Sequence, residues 1–215
     1  MEFYNNKTWN DRWIVEEVFK GTLGGFFVEA GAQAGKWGSC TYVLEKEFGW
    51  SGILVEPVKS HFKRLVENRP NSKCINVCLA EETKTVDFIE YEESGIIGYS
   101  GIPQHWGEKR VVNPETSPHK KMKKQAITLE KLLDDCRAPK IIDYLALDME
   151  RGESVVLNAF DFEKYTFKAI SLEGGQDAFN TLVDNGYVRV SNPFCRFPWE
   201  NHFIHKKWIE VKYKI

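Results

Sequence analysis

Gly25-Phe26-Phe27-Val28-Glu29-Ala30-Gly31-Ala32-Gln33-Ala34-Gly35 opens as an apolar run of strand type and breaks into a loop of small residues. Lys36-Trp37-Gly38-Ser39-Cys40 continues the loop, and Thr41-Tyr42-Val43-Leu44-Glu45-Lys46-Glu47-Phe48 reads as a helix. Strand, glycine loop and helix make the nucleotide-cradling unit of open α/β sheets. Glycine belongs in such a turn because a side chain would keep the backbone from turning tightly and approaching a ligand.

The loop departs from the dinucleotide fingerprint. That motif sets a second glycine two residues after the first, where the backbone meets a pyrophosphate. Gln33 holds that position here, and the Glu29 carboxylate just before the loop repels a diphosphate. A nicotinamide oxidoreductase is therefore disfavoured. The same carboxylate suits a ligand with an amino group and a positive sulfonium, namely S-adenosylmethionine. A tight turn holding no ligand is the plainer alternative, and the next stretch weighs against it. Gly49-Trp50-Ser51-Gly52 punctuates the helix end, and Ile53-Leu54-Val55-Glu56-Pro57 is a second buried strand ending in an acid. Glu56 follows Gly31 by 25 positions. That is near the roughly 20-residue offset at which an acid takes a ribose hydroxyl pair. A second parallel strand lies beside the first, so its carboxyl end points at the ribose of a ligand held by the first loop.

Further strands follow in the same grammar. Cys74-Ile75-Asn76-Val77-Cys78 reads as a third strand, and Thr85-Val86-Asp87-Phe88-Ile89-Glu90-Tyr91 alternates as an additional one. Thr128 caps a helix running to Asp135. Ile141-Ile142-Asp143-Tyr144-Leu145-Ala146-Leu147 is a fourth strand that delivers Asp148 and Glu150, and Lys168-Ala169-Ile170-Ser171-Leu172-Glu173 is a fifth. Ligands of open α/β sheets sit at the carboxyl ends of strands. Asp148, Glu150 and Glu173 are therefore the expected catalytic acids. Three carboxylates there invite either a divalent cation such as Mg or Mn or general-base chemistry. The metal-free base is the favoured reading, because His and amide ligands that would complete a metal site are not evident.

Phe27-Val28-Glu29-Ala30-Gly31, the Ser39-x-Thr41 pair, the run Glu45 to Pro57, Ile127 to Leu133, and Ile142 to Glu150 occur in order and resemble the FkbM-type methyltransferases. The resemblance covers about residues 25 to 175. It implies an α/β fold: a Rossmann-like, doubly wound, seven-stranded and mostly parallel sheet, with the last strand pair antiparallel and helices on both faces. That pair is Gly186 to Ser191 and His202 to His205. The resemblance places the donor against Glu29, Ala30, Gly31, Gly35, Ser39, Glu56, Pro57, Cys78, Leu79 and Asp148. The implied activity is methylation of a hydroxyl on a sugar or glycan, a deoxyhexose such as rhamnose among them, or on a polyketide-like small molecule. A non-catalytic cofactor-binding interaction domain is the non-enzyme alternative, disfavoured because clustered acids with no use only repel one another. The family's usual Gly is replaced by Arg151, which narrows the site or supplies a positive charge.

Composition sets the outer bounds. The chain has 215 residues, 42% hydrophobic and 28% charged, which fits one domain over 1–215 with a substantial core. Whether it is whole or excised from a larger enzyme, fused to or working with glycosyltransferase domains, is left open. A net charge of −2 gives no global basic field for nucleic acid. No apolar run has the length of a membrane span, and the N-terminus lacks a signal-peptide pattern. The cysteines at 40, 74, 78, 136 and 195 have no zinc spacing, so free thiols in a cytoplasmic setting are expected.

Two stretches are less regular. Residues 1–24 are expected to form an N-terminal cap, with a helix over 8–20 covering the sheet edge and with Trp9 and Trp13 sharing its core face. Residues 94–125 read as an irregular lid, rich in Gly and Pro, from which Tyr99, Ser100, His105 and Trp106, with Arg151, reach the substrate. In that reading the aromatic side chains face a sugar ring. The basic run His119 to Lys124 is a solvated face or an attractor of an acidic acceptor. His202 and His205, three apart in a strand, face opposite ways, so no metal pair is expected.

Overall fold

The computed structural model describes residues 4–92, 97–106, 112–113 and 115–209. Its main sheet has seven strands in the order β3-β2-β1-β7-β8-β10-β9. They are β1 (Phe26–Ala30), β2 (Ser51–Val55), β3 (Lys73–Ile75), β7 (Ile141–Leu147), β8 (Thr166–Glu173), β9 (Tyr187–Val190) and β10 (Glu200–His205). All pairings are parallel except those of β10, which runs antiparallel to both β8 and β9. The chain reverses direction at β1, where the order turns from β2 to β7. Glu29, Asp148 and Glu173 belong to the carboxyl ends of the three central strands.

The central strands are apolar on both sides, as parallel strands covered by helices must be. On one face Val28, Ile53, Leu145 and Ile170 pack against α4 (Leu129–Cys136), α5 (Glu153–Asn158) and α6 (Phe179–Asp184). On the other, Phe27, Leu54, Tyr144 and Ala169 meet α2 (Tyr42–Phe48), α3 (Lys59–Asn68) and the N-terminal helix. Thr128 caps α4 as expected, its hydroxyl accepting from the Lys131 N–H at 3.1 Å. No described helix is long and apolar enough to cross a membrane. The five cysteines are free thiols.

Several expectations are corrected. The N-terminal helix is shorter, one α-turn (α1, Asn10–Arg12) continued by a π-turn over Trp13–Val18. It covers a sheet face, with Trp13 and Ile14 fully buried there, and not the sheet edge. Trp9 does not share the face of Trp13. It precedes the helix in a left-handed conformation (φ 60°) and stays 39% exposed.

The third strand ends at Ile75, because the Asn76 side chain donates to the Glu56 and Pro57 carbonyls at 2.6 and 3.1 Å. Cys78–Leu79 (β4) then joins a second sheet of order β4-β6-β5, with β5 at Lys84–Tyr91 and β6 at His119–Ile127. The basic run is therefore not loop but the nine-residue β6, antiparallel to β5 in full register. Lys120 and Lys123 pair across the strands with Glu92 and Asp87 at 2.7 Å each. Those ion pairs explain how a lysine-rich run sustains a strand: acids on β5 sit opposite. Of the expected lid, residues 94–96, 107–111 and 114 lie outside the described residues. The remainder forms two short 3₁₀ turns, Ile97–Tyr99 and Pro103–His105.

Candidate functional site

The loop after β1 is built around one carboxylate. Phe27 packs on the face that carries the N-terminal helix, and Glu29, two residues on, follows it there. Glu29 accepts from the Cys40 N–H and the Ser39 hydroxyl, both at 2.8 Å, and from the Thr41 hydroxyl. Arg69, 0% exposed, locks the same turn from outside. Its Nε pairs with Glu45 at 2.8 Å, and its two terminal nitrogens donate to the Gly35 and Thr41 carbonyls (3.2 Å each) and to the hydroxyls of Ser39 and Thr41 (3.1 and 2.9 Å). Arg69 follows directly on the last residue of α3. A lone arginine before a proline carries no signal that it will be buried. Gly35 packs against this side chain. A Cβ on it would stand 2.3 Å from Leu65 and 2.8 Å from Arg69.

The ends of β1 and β7 touch. The Asp148 N–H donates to the Ala30 carbonyl at 3.1 Å. A Cβ at Gly31 (φ 84°) would meet the Asp148 carbonyl oxygen at 1.8 Å, so only glycine fits. Beside this contact opens a cleft. Among its lining are Ala30, Gly31, Glu56, Pro57, Cys78, Leu79 and Asp148, all expected at the donor. Glu56, 3% exposed, accepts from the Gln33 and Val58 N–H groups at 2.8 and 2.6 Å. Burial nonetheless raises its pKa to about 7. Glu29 and Ser39 line a smaller recess behind the loop, which shares Ala30, Gly31 and Asp148 with the cleft.

Asp148 also lines a third cavity, on the other side of the loop, with Glu173 and Glu200. Asp148, Glu150 and Glu173 place one carboxylate oxygen each within 4.8 Å of one another. Asp148 is exposed to these cavities. Desolvation by the protein around it comes first, and with the Glu173 carboxylate hydrogen-bonded to it and Glu150 near, it raises the Asp148 pKa above the usual carboxylate range. Burial, then Glu173 and Glu153, raise Glu150 to about 8. Burial raises Glu153 and Glu200 to about 7. The backbone at Glu150 and Arg151 is left-handed at both residues (φ 56° and 79°), a conformation that favours glycine. Arg151 thus stands where the resemblance places Gly.

Of the expected substrate residues, Ser100 and His105 line the same cleft as Asp148, and the Ser100 hydroxyl is engaged with the Tyr91 N–H and the Ile97 carbonyl. Trp106 is buried, stacked on Tyr91 at 6.3 Å, and Tyr99 packs beside this pair. Two glycines and a proline make the stretch look loose, whereas the second sheet gives its aromatics a core. The Arg151 guanidinium turns to the Trp106 carbonyl at 3.2 Å. His202 and His205 are both buried: His202 bonds Asn10 at 2.7 Å and His205 packs on Tyr187. The residues that do line the third cavity include Asn5, Asn6, Lys7 and Asn10 of the N-terminal segment, and Trp37. Nothing local in that segment marks it, since only tertiary folding brings it to the strand ends.

The family model of the methyltransferase FkbM domain matches residues 29–190. No curated protein sequence matches. Among solved structures, a methyltransferase FkbM from Methylobacillus flagellatus is 12% identical with a TM-score of 0.49. The match covers 84% of this chain and 43% of that one, so this chain spans less than half the length of that protein. A TehB-like SAM-dependent methyltransferase from Corynebacterium glutamicum is 10% identical, with a TM-score of 0.44 over 94% of this chain and 90% of its own. The human methyltransferase 10 domain containing protein is 12% identical, with a TM-score of 0.45 over 91% and 80%. The family model covers most of the chain, and the chain belongs to the methyltransferase FkbM domain family.

Proposed function

We propose that the protein is an O-methyltransferase that acts on a hydroxyl of a sugar or glycan, with Asp148 as general base. The observation that carries this reading is the place of Asp148, shared by the donor cleft and the third cavity. A group standing between two cavities touches what fills either.

The cleft fits the donor. Glu56 keeps its carboxylate at the cavity wall while two backbone N–H groups hold it still, an arrangement suited to a ribose hydroxyl pair. Cys78, Leu79 and Phe88 offer an apolar wall suited to a purine. Glu29 spends its oxygens on Ser39, Cys40 and Thr41, so its work is to shape the loop beside the donor's amino-acid end. When bound, S-adenosylmethionine supplies a methyl group on a positive sulfonium. The chain's own residues must hold an acceptor oxygen in line and take its proton. An alcohol is a weak nucleophile, and a carboxylate whose proton affinity is raised is a better base near neutral pH. Desolvation at the strand end supplies that rise first, and Glu173, hydrogen-bonded to Asp148, and Glu150 add to it. Alignment by rigid strand ends contributes the rest.

Asp148, Glu150 and Glu173 also have the oxygen chemistry for Mg or Mn. The metal-free reading is preferred, because a cation held there would lower the proton affinity that suits Asp148 to be the base. The test is transfer of labelled methyl from S-adenosylmethionine to a panel of methyl pyranosides, with and without exhaustive chelation. Methyl ethers formed in both arms support the reading. Loss of transfer on chelation, restored by Mg²⁺, moves the three acids to a metal site. Transfer only to nitrogen or to nucleic acid overturns it.

A further inference from the structure

The third cavity has a composition of its own. Its walls carry the Asp148, Glu173 and Glu200 carboxylates and the side chains of Asn5, Asn6 and Asn10. The walls are fixed. Asn10 donates to Glu200 at 3.1 Å, and Asn6 donates to the Gly38 carbonyl at 2.5 Å, which ties the N-terminal segment to the glycine loop. One polar atom in this wall is left over: Asn5 Oδ1 is buried with no hydrogen-bond partner among the described residues. An acceptor atom left so in a polar cavity is satisfied when a hydroxyl donates to it.

Trp37 stands at the rim. It lines both this cavity and the recess behind the donor loop, and it is 81% exposed. A tryptophan side chain is seldom left so open unless its ring has something to cover. It sits in a turn between Gly35 and Gly38, both at positive φ (72° and 79°), and a Cβ on Gly38 would meet nothing within 4 Å. The turn therefore projects the indole into open space beside the acids and amides. An aromatic face next to a ring of hydrogen-bonding groups matches a ligand with one apolar face and a polar edge. A pyranose has that form: its C–H face stacks on an aromatic ring and its hydroxyls reach outward. A flat polyketide would leave the acids and amides unpaired, which disfavours it by the cost of each unpaired group.

We propose that Trp37 is the platform for the acceptor's sugar ring, and that Asn5 and Glu200 take its hydroxyls at the far wall. This rests on the reading of Asp148 as the base for a sugar hydroxyl. It relocates acceptor recognition from the 94–125 stretch to the glycine loop and the N-terminal segment, and makes Trp37 a specificity-determining residue.

Trp37→Ala and Trp37→Phe are compared with the parent. Acceptor KM and kcat are measured with the best methyl pyranoside, and S-adenosylhomocysteine affinity by calorimetry serves as the control for fold and donor site. Trp37→Ala is expected to raise acceptor KM about tenfold, Trp37→Phe to recover most of that, and homocysteine-product affinity to stay within twofold. Asn5→Ala is expected to raise KM by a smaller factor. If the parent methylates the pyranoside and Trp37→Ala does so with unchanged KM, the platform is overturned while the proposed function stands. If the parent binds S-adenosylhomocysteine but methylates no pyranoside, the sugar reading itself fails and the platform falls with it.

Discussion

Two groups of acids flank the same glycine loop, and the chain treats them in opposite ways. Glu29 and Glu45 meet Arg69, which is wholly buried; hydroxyls and an N–H group surround Glu29, and one oxygen of Glu45 takes Arg69 and the Ser72 hydroxyl. Asp148, Glu150 and Glu173 lie within 4.8 Å of one another and no cation forms an ion pair with them among the described residues. The first group is a latch whose charges are compensated when the chain folds. The second is left with mutual repulsion, which raises the proton affinity of Asp148 and Glu150 beyond what desolvation does. Burying like charges together costs stability. Such a cost persists at sites where function needs it. The contrast separates structural acids from working acids without reference to any relative.

Substitutions test the contrast from both sides. The largest effect is expected at Asp148. Asp148→Asn should cut turnover by about 10²–10⁴-fold while the melting temperature holds or rises, since one of three repelling carboxylates is gone. Near-parent turnover would remove Asp148 as base, and a lower melting temperature would sink the contrast. Next comes the latch. Arg69→Met leaves Glu45 and Glu29 buried without their cation, and should cost about 3–5 kcal/mol in urea unfolding. An unchanged midpoint would show that the latch acids find other partners.

Glu56 is the intermediate case, buried like the latch but facing a cavity like the cluster. Its charge-assisted bonds to a ribose are worth roughly 1.5–3 kcal/mol. Glu56→Ala should therefore weaken S-adenosylmethionine binding by about tenfold or more, read by calorimetry. Equal affinity in a folded variant would return Glu56 to the structural class.

The acids with raised pKa also set a pH trend. Burial holds Glu150 near 8 and Glu56, Glu153 and Glu200 near 7. All of these exceed the roughly 4.3 of an unfolded glutamate. Between those limits the folded state binds more protons than the unfolded one, so its stability must fall as pH rises. His202, buried and lowered to about 3, is neutral in both states above the usual histidine value and adds nothing there. Thermal unfolding of the free protein should therefore shift down between pH 6 and 8.5, and saturating S-adenosylmethionine should shrink that shift. A flat or rising profile would mean the cluster is better compensated than its geometry indicates. The smallest effect is at Arg151. Its left-handed φ of 79° costs a non-glycine residue about 1 kcal/mol. Arg151→Gly should be neutral or stabilising by less than about that amount. Clear destabilisation would show that its bond to the Trp106 carbonyl matters more than the strain.

Much of the central architecture could be read from local chemistry. The β1 loop, β2 with Glu56, and the acids ending β7 and β8 announce themselves because apolar runs ending in acids at strand tips leave few alternatives. The second sheet did not. Its β6 is a lysine-rich run that only pairs with acids on β5 after the two strands meet, and alternation is faint when most positions are charged. Trp106 read as a lid residue for the same reason: the core it enters is made by strands 13 or more residues away in sequence. Arg69 and the segment Asn5 to Asn10 were invisible as site-builders, since their roles exist only through contacts 24 to 190 residues distant along the chain.

Gly31 and Asp148 are in backbone contact, with no room between them for a single methyl group. The two loops are consequently one mechanical part. An adjustment that shifts the first strand's turn also drags Asp148, the base proposed above, and an adjustment around Asp148 is felt at the glycine loop. Natural drift and laboratory evolution therefore have freedom at the rim, at Trp37 and the N-terminal segment, and almost none at this crossing. A family built on such a joint would diversify its acceptors from the outside while keeping the centre fixed.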